Sequence, residues 1–253
     1  MNFSFGIVTG GGDTNRILRI IDSINRENIP EFEIIVVGGE SIPKTTHIPH
    51  NEAHGIPGWL CYKKNKIAKI AKYDNIVYMH DYVVLDVGWY DGFLRFGDNW
   101  NICMTKIVNS DGTRYTDWVL DPTSIGITPG RLEENACLLP YNVLDLSFYM
   151  FISGAYWVVK KHIMKEFPLD ESLADTIDGR SYQRNEDVLW SRSVNQKYEF
   201  SMNTYSVVGL LKYHAPFFSP VNQETIDHIR KNKPTRPAFK TSPESKCSRG
   251  SYV

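Results

Sequence analysis

The sequence predicts an α/β fold, on three observations within its first eighty residues. Apolar runs at 3–8, 33–37 and 75–79 have strand length; the segments between them carry apolar residues at helical spacing; and each run ends in glycine or polar residues. Strands that are apolar throughout and joined through helices imply parallel pairing with both faces of the sheet covered. Ligands of such sheets bind at the carboxyl ends of the strands.

Taken in order, residues 3–8 form the first strand, followed by the turn Thr9-Gly10-Gly11-Gly12-Asp13. Ile17, Leu18, Ile21 and Ile24 then recur on one helical face until Asn28-Ile29-Pro30 stops the helix. The second strand runs into Gly38-Gly39-Glu40, and a polar connection containing proline and histidine fills 41–57. Residues 63–73 read as a helix with Ile67, Ala68, Ile70 and Ala71 on one side, feeding a third strand whose carboxyl end is His80-Asp81-Tyr82. A short helix is expected at 88–94, a strand at 102–108 and a turn at Ser110-Asp111-Gly112-Thr113. The aromatic and β-branched stretch 148–159 suits a buried strand or hairpin broken at Ser153-Gly154. Residues 160–166 look helical, and Asn185-Glu186-Asp187 opens another helix. From 230 to 249 there are seven basic residues, one acidic residue and three prolines, which reads as a flexible tail. The expected organisation is one domain over 1–220, with a nucleotide-binding half to about residue 100 and an acceptor half beyond it, and an extension over 221–253.

Composition excludes several classes. With 253 residues and a net charge of −1, the chain lacks the basic surplus of a general nucleic-acid binder, and 42% hydrophobic residues exclude wholesale disorder. Cys61, Cys103, Cys137 and Cys247 are scattered without a C-x-x-C pair, so reduced, buried thiols are expected rather than a zinc ribbon. The first residues read as a strand rather than a signal peptide, and 146–159 is too short to span a bilayer. A soluble, cytoplasmic protein is the expectation.

The candidate chemistry gathers at element ends. Gly10-Gly11-Gly12, between strand and helix, suits either a phosphate cradle or a tight structural turn, with Asp13 or Thr14 as an ordinary helix cap. It is neither G-x-G-x-x-G nor a Walker motif. His80-Asp81 closes a buried strand, where a phosphate and a divalent cation can meet, although aspartate is also common in turns. Glu186-Asp187 begins a helix, where the macrodipole favours carboxylates and where a base facing a cleft can deprotonate a hydroxyl. Lys63, Lys64, Lys66, Lys69 and Lys72 form a charge run expected to be mostly a solvated face. His47, His50 and His54 read as loop residues, and His214 is open between metal ligand and packed histidine.

The order of these features resembles the GT-A nucleotide-sugar glycosyltransferases, particularly the family 2 type, over roughly residues 3–215. The resemblance implies a GT-A fold with a mainly parallel central sheet. It also implies an NDP-sugar donor, with Mn²⁺ or Mg²⁺, contacted by Thr9, Gly10, Gly38, Gly39, Glu40, Lys64, Asn65, His80 and Asp81. The metal ligands would be Asp81 and His214, with His80-Asp81-Tyr82 standing for the family's D-x-D and keeping one of its carboxylates. Asp187 would be the base of an inverting transfer, with Glu186 beside it. Asp117, Trp118 and Gly154 would meet a glycan or glycoconjugate acceptor, and Trp89, Tyr115, Trp118 and Trp157 are either sugar-stacking or core aromatics. UDP or TDP is the family's usual carrier. A sugar nucleotidyltransferase, a non-catalytic nucleotide-sugar binder and an interaction module touching a partner or a membrane surface through the tail remain as alternatives.

Overall fold

The computed structural model describes residues 1–50, 59–121, 137–172, 175–177, 180–182, 186–215 and 218–232, the two short segments at 175–177 and 180–182 by backbone alone. His54, Asn185, Cys247 and the tail beyond residue 232 lie outside them.

The opening β-α-β unit is β1 (Phe3–Val8), α1 (Thr14–Asn25) and β2 (Phe32–Val37), extended by β3 (Thr46–Ile48). Asp13 caps α1 by accepting the backbone N–H of Arg16. His47 therefore sits in a short strand parallel to β2 rather than in a loop. Helix α2 (Trp59–Ile70) starts earlier than expected and leads to β4 (Asn75–His80) and β5 (Val83–Leu85). Then come α3 (Trp89–Phe96), β6 (Ile102–Val108), β7 (Val119–Leu120), β8 (Cys137–Leu138), β9 (Met150–Phe151), β10 (Tyr156–Lys160) and α4 (Lys161–Glu166). A small hairpin of β11 (Asp175–Ile177) and β12 (Arg180–Tyr182) precedes α5 (Glu186–Val194), β13 (Phe200–Leu210) and α6 (Gln223–Asn232).

The main sheet has eight strands in the order β3-β2-β1-β4-β10-β6-β13-β5. Its first half is parallel, as the apolar runs require, but β10 enters antiparallel to both β4 and β6. Pairing is thus parallel at four junctions and antiparallel at three among the described strands. The antiparallel entry of β10 turns the Ser153-Gly154 break towards the same sheet edge as the carboxyl ends of β1, β2 and β4. The stretch 148–159 is not a hairpin: β9 pairs with β7 in a separate three-stranded sheet, and the chain changes sheets at this break.

Trp89, Trp118 and Trp157 are fully buried, so the core reading holds for these three, and Tyr115 is nearly so. Tyr78 stacks on Trp157 at 4.5 Å, and Trp157 meets Trp190 at 4.6 Å, which docks α5 onto the sheet. Cys61 is buried, and Cys103 and Cys137 are free thiols, the first buried and the second half-buried. Helix α3 lies so close to β13 that a Cβ on Gly92 would stand 2.6 Å from the Tyr205 carbonyl oxygen. Gly92→Ala is therefore expected to destabilise the fold by about 1–3 kcal/mol through overpacking, read from denaturant unfolding. The extension is also corrected in part. It starts with α6, which buries Ile226 and Ile229 and pairs Arg230 with Asp145. Among the described residues no helix is long and apolar enough to cross a membrane.

Candidate active site

The carboxyl ends of β1, β2 and β4 form one floor. Thr9 Oγ1 donates to Asp81 Oδ2 at 2.8 Å and accepts the Gly11 N–H at 3.0 Å, tying the glycine turn to the end of β4. Gly11 and Gly39 both have positive φ, a conformation L side chains rarely adopt, and pack so closely that a Cβ on either would touch the other's Cα at 3.4 Å. Thr9, Gly11, Gly12, Asp13, Gly39 and Glu40 line a narrow cleft, with Gly10 and Glu40 exposed at its rim. His47 Nε2 lies 3.2 Å from the carbonyls of both Gly38 and Gly39 and fixes that segment from behind.

The lysine run is not a solvated face at Lys63 and Lys64. Both are fully buried: Lys63 reaches under the floor to donate to the Thr9 carbonyl, and Lys64 pairs with Glu186 at 3.2 Å while donating to the Gly154 carbonyl at 3.3 Å. Lysine is buried almost only when paired, and here the partner comes from a helix 122 residues away, which local periodicity cannot reveal. Lys64 is consequently spent on Glu186 rather than open to a nucleotide. Asn65 is corrected more fully: it donates to the Leu169 carbonyl and accepts the Leu169 N–H, pinning the 169–171 segment away from the floor.

Gly154 N–H donates to Asp187 Oδ2 at 2.9 Å, and a Cβ on Gly154 would approach that oxygen to 3.0 Å. Asp187 Oδ1 accepts the N–H of its neighbour Val188 at 2.9 Å. Ser191 Oγ links α5 to Ile152 N–H and so locks the helix against the same turn. Asp187 is half-buried, and burial, and next the Glu186 carboxylate, push its pKa up to about 7.

Across the cleft, His80 N–H is bonded by the Ala155 carbonyl, and Tyr82 lies edge-on to the His80 ring at 5.6 Å and against the His214 ring at 4.8 Å. Burial, and then neighbouring lysines, hold His80 well below the usual histidine range, while burial chiefly lowers His214. The Nε2 atoms of both are enclosed without a hydrogen-bond partner. With the Asp81 carboxylate these are donor types a divalent cation accepts, although among the described residues no three His, Cys, Asp or Glu side chains gather as a ready metal site.

Two expected acceptor contacts are corrected. Asp117 is fully buried, accepts the N–H groups of Ile107 and Trp118 and the Tyr141 hydroxyl, and pairs with Arg114. Trp118 is core, its indole N–H bonded to the Val143 carbonyl. A side chain without exposed surface organises the loops around it and touches no acceptor. The third, Gly154, is at the cleft. From sequence, Lys63 counts only as part of the charge run and Lys212 is not singled out, although the Lys212 Nζ lies 4.5 Å from the Tyr82 ring centroid.

The fold and the disposition of these ends define a GT-A-type α/β structure. The crystal structure of S. aureus TarS 1–349 superposes with a TM-score of 0.50 at 14% identity, covering 90% of this chain and 63% of that one. Its complex with UDP-GlcNAc gives 0.54 at 14% identity, over 86% and 60%. GalNAc-T7 with UDP, GalNAc and Mn²⁺ gives 0.55 at 12% identity, over 86% and 44%. The chain thus spans less than two thirds of the length of these structures. No protein-family model matches it, and no curated protein matches it in sequence.

Proposed function

We propose that this chain is a glycosyltransferase that moves a sugar from a nucleoside-diphosphate sugar to a hydroxyl of a glycan or glycoconjugate, with inversion. The observation that carries the reading is Asp187: a half-buried carboxylate with a pKa near 7, aimed by the Gly154 N–H at the edge where three strand ends meet. Asp187 takes the proton of the acceptor hydroxyl, and that oxygen bonds to the anomeric carbon as the bond to the diphosphate oxygen breaks. The Glu186 carboxylate beside it, paired with Lys64, helps to raise the Asp187 pKa. Thr9, Gly10, Gly38, Gly39 and Glu40 would contact the nucleoside diphosphate, a reading supported by two structural neighbours captured with UDP-GlcNAc and with UDP, GalNAc and Mn²⁺. Asp81 and His214 would hold a divalent cation, which when bound neutralises charge on the departing diphosphate. Arg16, the basic residue nearest the first loop, is held by Asp13 at 2.7 Å, which disfavours a nucleotidyltransferase.

Calorimetric titration with UDP, GDP, TDP and CDP, each with and without Mn²⁺, tests the donor site. Micromolar binding of one diphosphate is expected, strengthened by Mn²⁺ in the native chain but not in Asp81→Ala. Binding of none would remove the nucleotide-sugar premise. Once a substrate pair is found, kcat/KM should rise about tenfold per pH unit below pH 7 and level off above it, because the ionised carboxylate is the active form. A flat profile between pH 5 and 8 would exclude Asp187 as the base.

A further inference from the structure

We infer that Lys212 is the side-chain cation that meets the terminal phosphate of the donor's diphosphate, an assignment that rests on the nucleotide-sugar reading above. The diphosphate of such a donor brings two negatively charged phosphates to the strand ends, and the lysine expected there, Lys64, is committed to Glu186 beneath the Ser153-Gly154 turn. Lys63 is likewise turned inward to the Thr9 carbonyl. Among the described residues, Arg16 also stands near Asp81 but is paired with Asp13, and a further basic side chain reaches this edge from the far end of the chain. Strand β13 pairs with β5 so that Leu210 lies opposite Val83, and Leu211 N–H donates to the Tyr82 carbonyl at 2.8 Å. The next residue is Lys212, whose Nζ lies 4.5 Å from the Tyr82 ring centroid.

That position is fixed relative to the rest of the site. Tyr82 adjoins Asp81 in sequence and packs against the His214 ring at 4.8 Å. Lys212 therefore stands over the same tyrosine that joins the end of β4 to His214. It is exposed and makes no ion pair among the described residues, unlike Lys64, Lys160 and Lys197. An aromatic face steadies an ammonium without neutralising it, so the charge remains available to an anionic ligand. Tyr82 acts here as the positioning residue.

The test compares nucleoside diphosphates with the matching monophosphates, UDP with UMP and likewise for G, T and C, by calorimetry in EDTA and again in Mn²⁺. The proteins are the full native chain, Lys212→Ala and Lys212→Arg, each checked for an unchanged melting midpoint. Lys212→Ala is expected to weaken the preferred diphosphate about ten- to hundredfold while leaving the monophosphate within about twofold, and Lys212→Arg is expected to keep most of the affinity. The loss should be larger in EDTA, where no cation shares the phosphate charge. Equal weakening of mono- and diphosphate, or no change in either, would overturn the assignment while leaving the donor site standing. A fall in the melting midpoint shared by Ala and Arg would show a packing role instead. If the native chain binds none of the eight nucleotides, both the nucleotide-sugar reading and the assignment fall.

Discussion

Asp187→Asn is expected to lower turnover by about 10²–10⁴-fold, the range for loss of a general base, while the affinity for nucleoside diphosphate stays within about twofold. The same substitution should make the protein more heat-stable at pH 8. The folded-state pKa near 7 lies above the ordinary value of 3.8, so the native state holds the Asp187 proton more tightly than the unfolded chain does. The stability this confers is fully present below about pH 4 and is lost as pH rises through 7. Asparagine carries no charge to desolvate, so the stability advantage of the variant should grow from pH 4 to 7 and be constant above. Against it stands one lost hydrogen bond, because Asp187 accepts from both Gly154 N–H and Val188 N–H on separate oxygens and an amide has one such oxygen, a cost of about 1 kcal/mol. Melting curves at pH 5 and 8, together with turnover and diphosphate titration, read all three effects. Retained turnover would remove Asp187 from the chemistry; lost diphosphate binding would mark it as part of the scaffold.

The second large effect is on stability. Lys64→Met leaves the Glu186 carboxylate buried opposite a thioether, and breaking a buried ion pair from one side costs roughly 3–5 kcal/mol. At about 2–4 °C per kcal/mol for a chain of this size, the melting midpoint should fall by about 6–20 °C. The double variant Lys64→Met/Glu186→Gln should regain most of that loss, since the stranded charge and not the missing attraction is the main penalty. Where Lys64→Met folds well enough to assay, the acid limb of the activity profile should move to higher pH, because Lys64 is a cation that lowers the Asp187 pKa. A midpoint unchanged within 2 °C would mean that the pair is open to water.

Much of the fold was legible because its determinants are local. The runs 3–8, 33–37 and 75–79 could only be strands covered on both faces, and they are β1, β2 and β4, parallel and adjacent. Glu186-Asp187 at a helix start and His80-Asp81 at a strand end followed from capping and from where strands stop. Asp117-Trp118 misled for a physical reason: an acidic residue beside a tryptophan has the same composition in a sugar site and in a buried hydrogen-bond hub, and only burial separates the two.

By itself, then, the sequence determined the strands β1, β2 and β4 with the helices between them, the parallel half of the sheet and the positions of the carboxylates at element ends, because each depends on periodicity and chain chemistry within about a dozen residues. The tertiary structure alone decided the antiparallel entry of β10, the pairing of Lys64 with Glu186, the elevated pKa of Asp187 and the arrival of Lys212 above Tyr82. Each of these depends on how deeply a charge is buried and on which distant strand ends meet, and those quantities exist only once the sheet has closed around them.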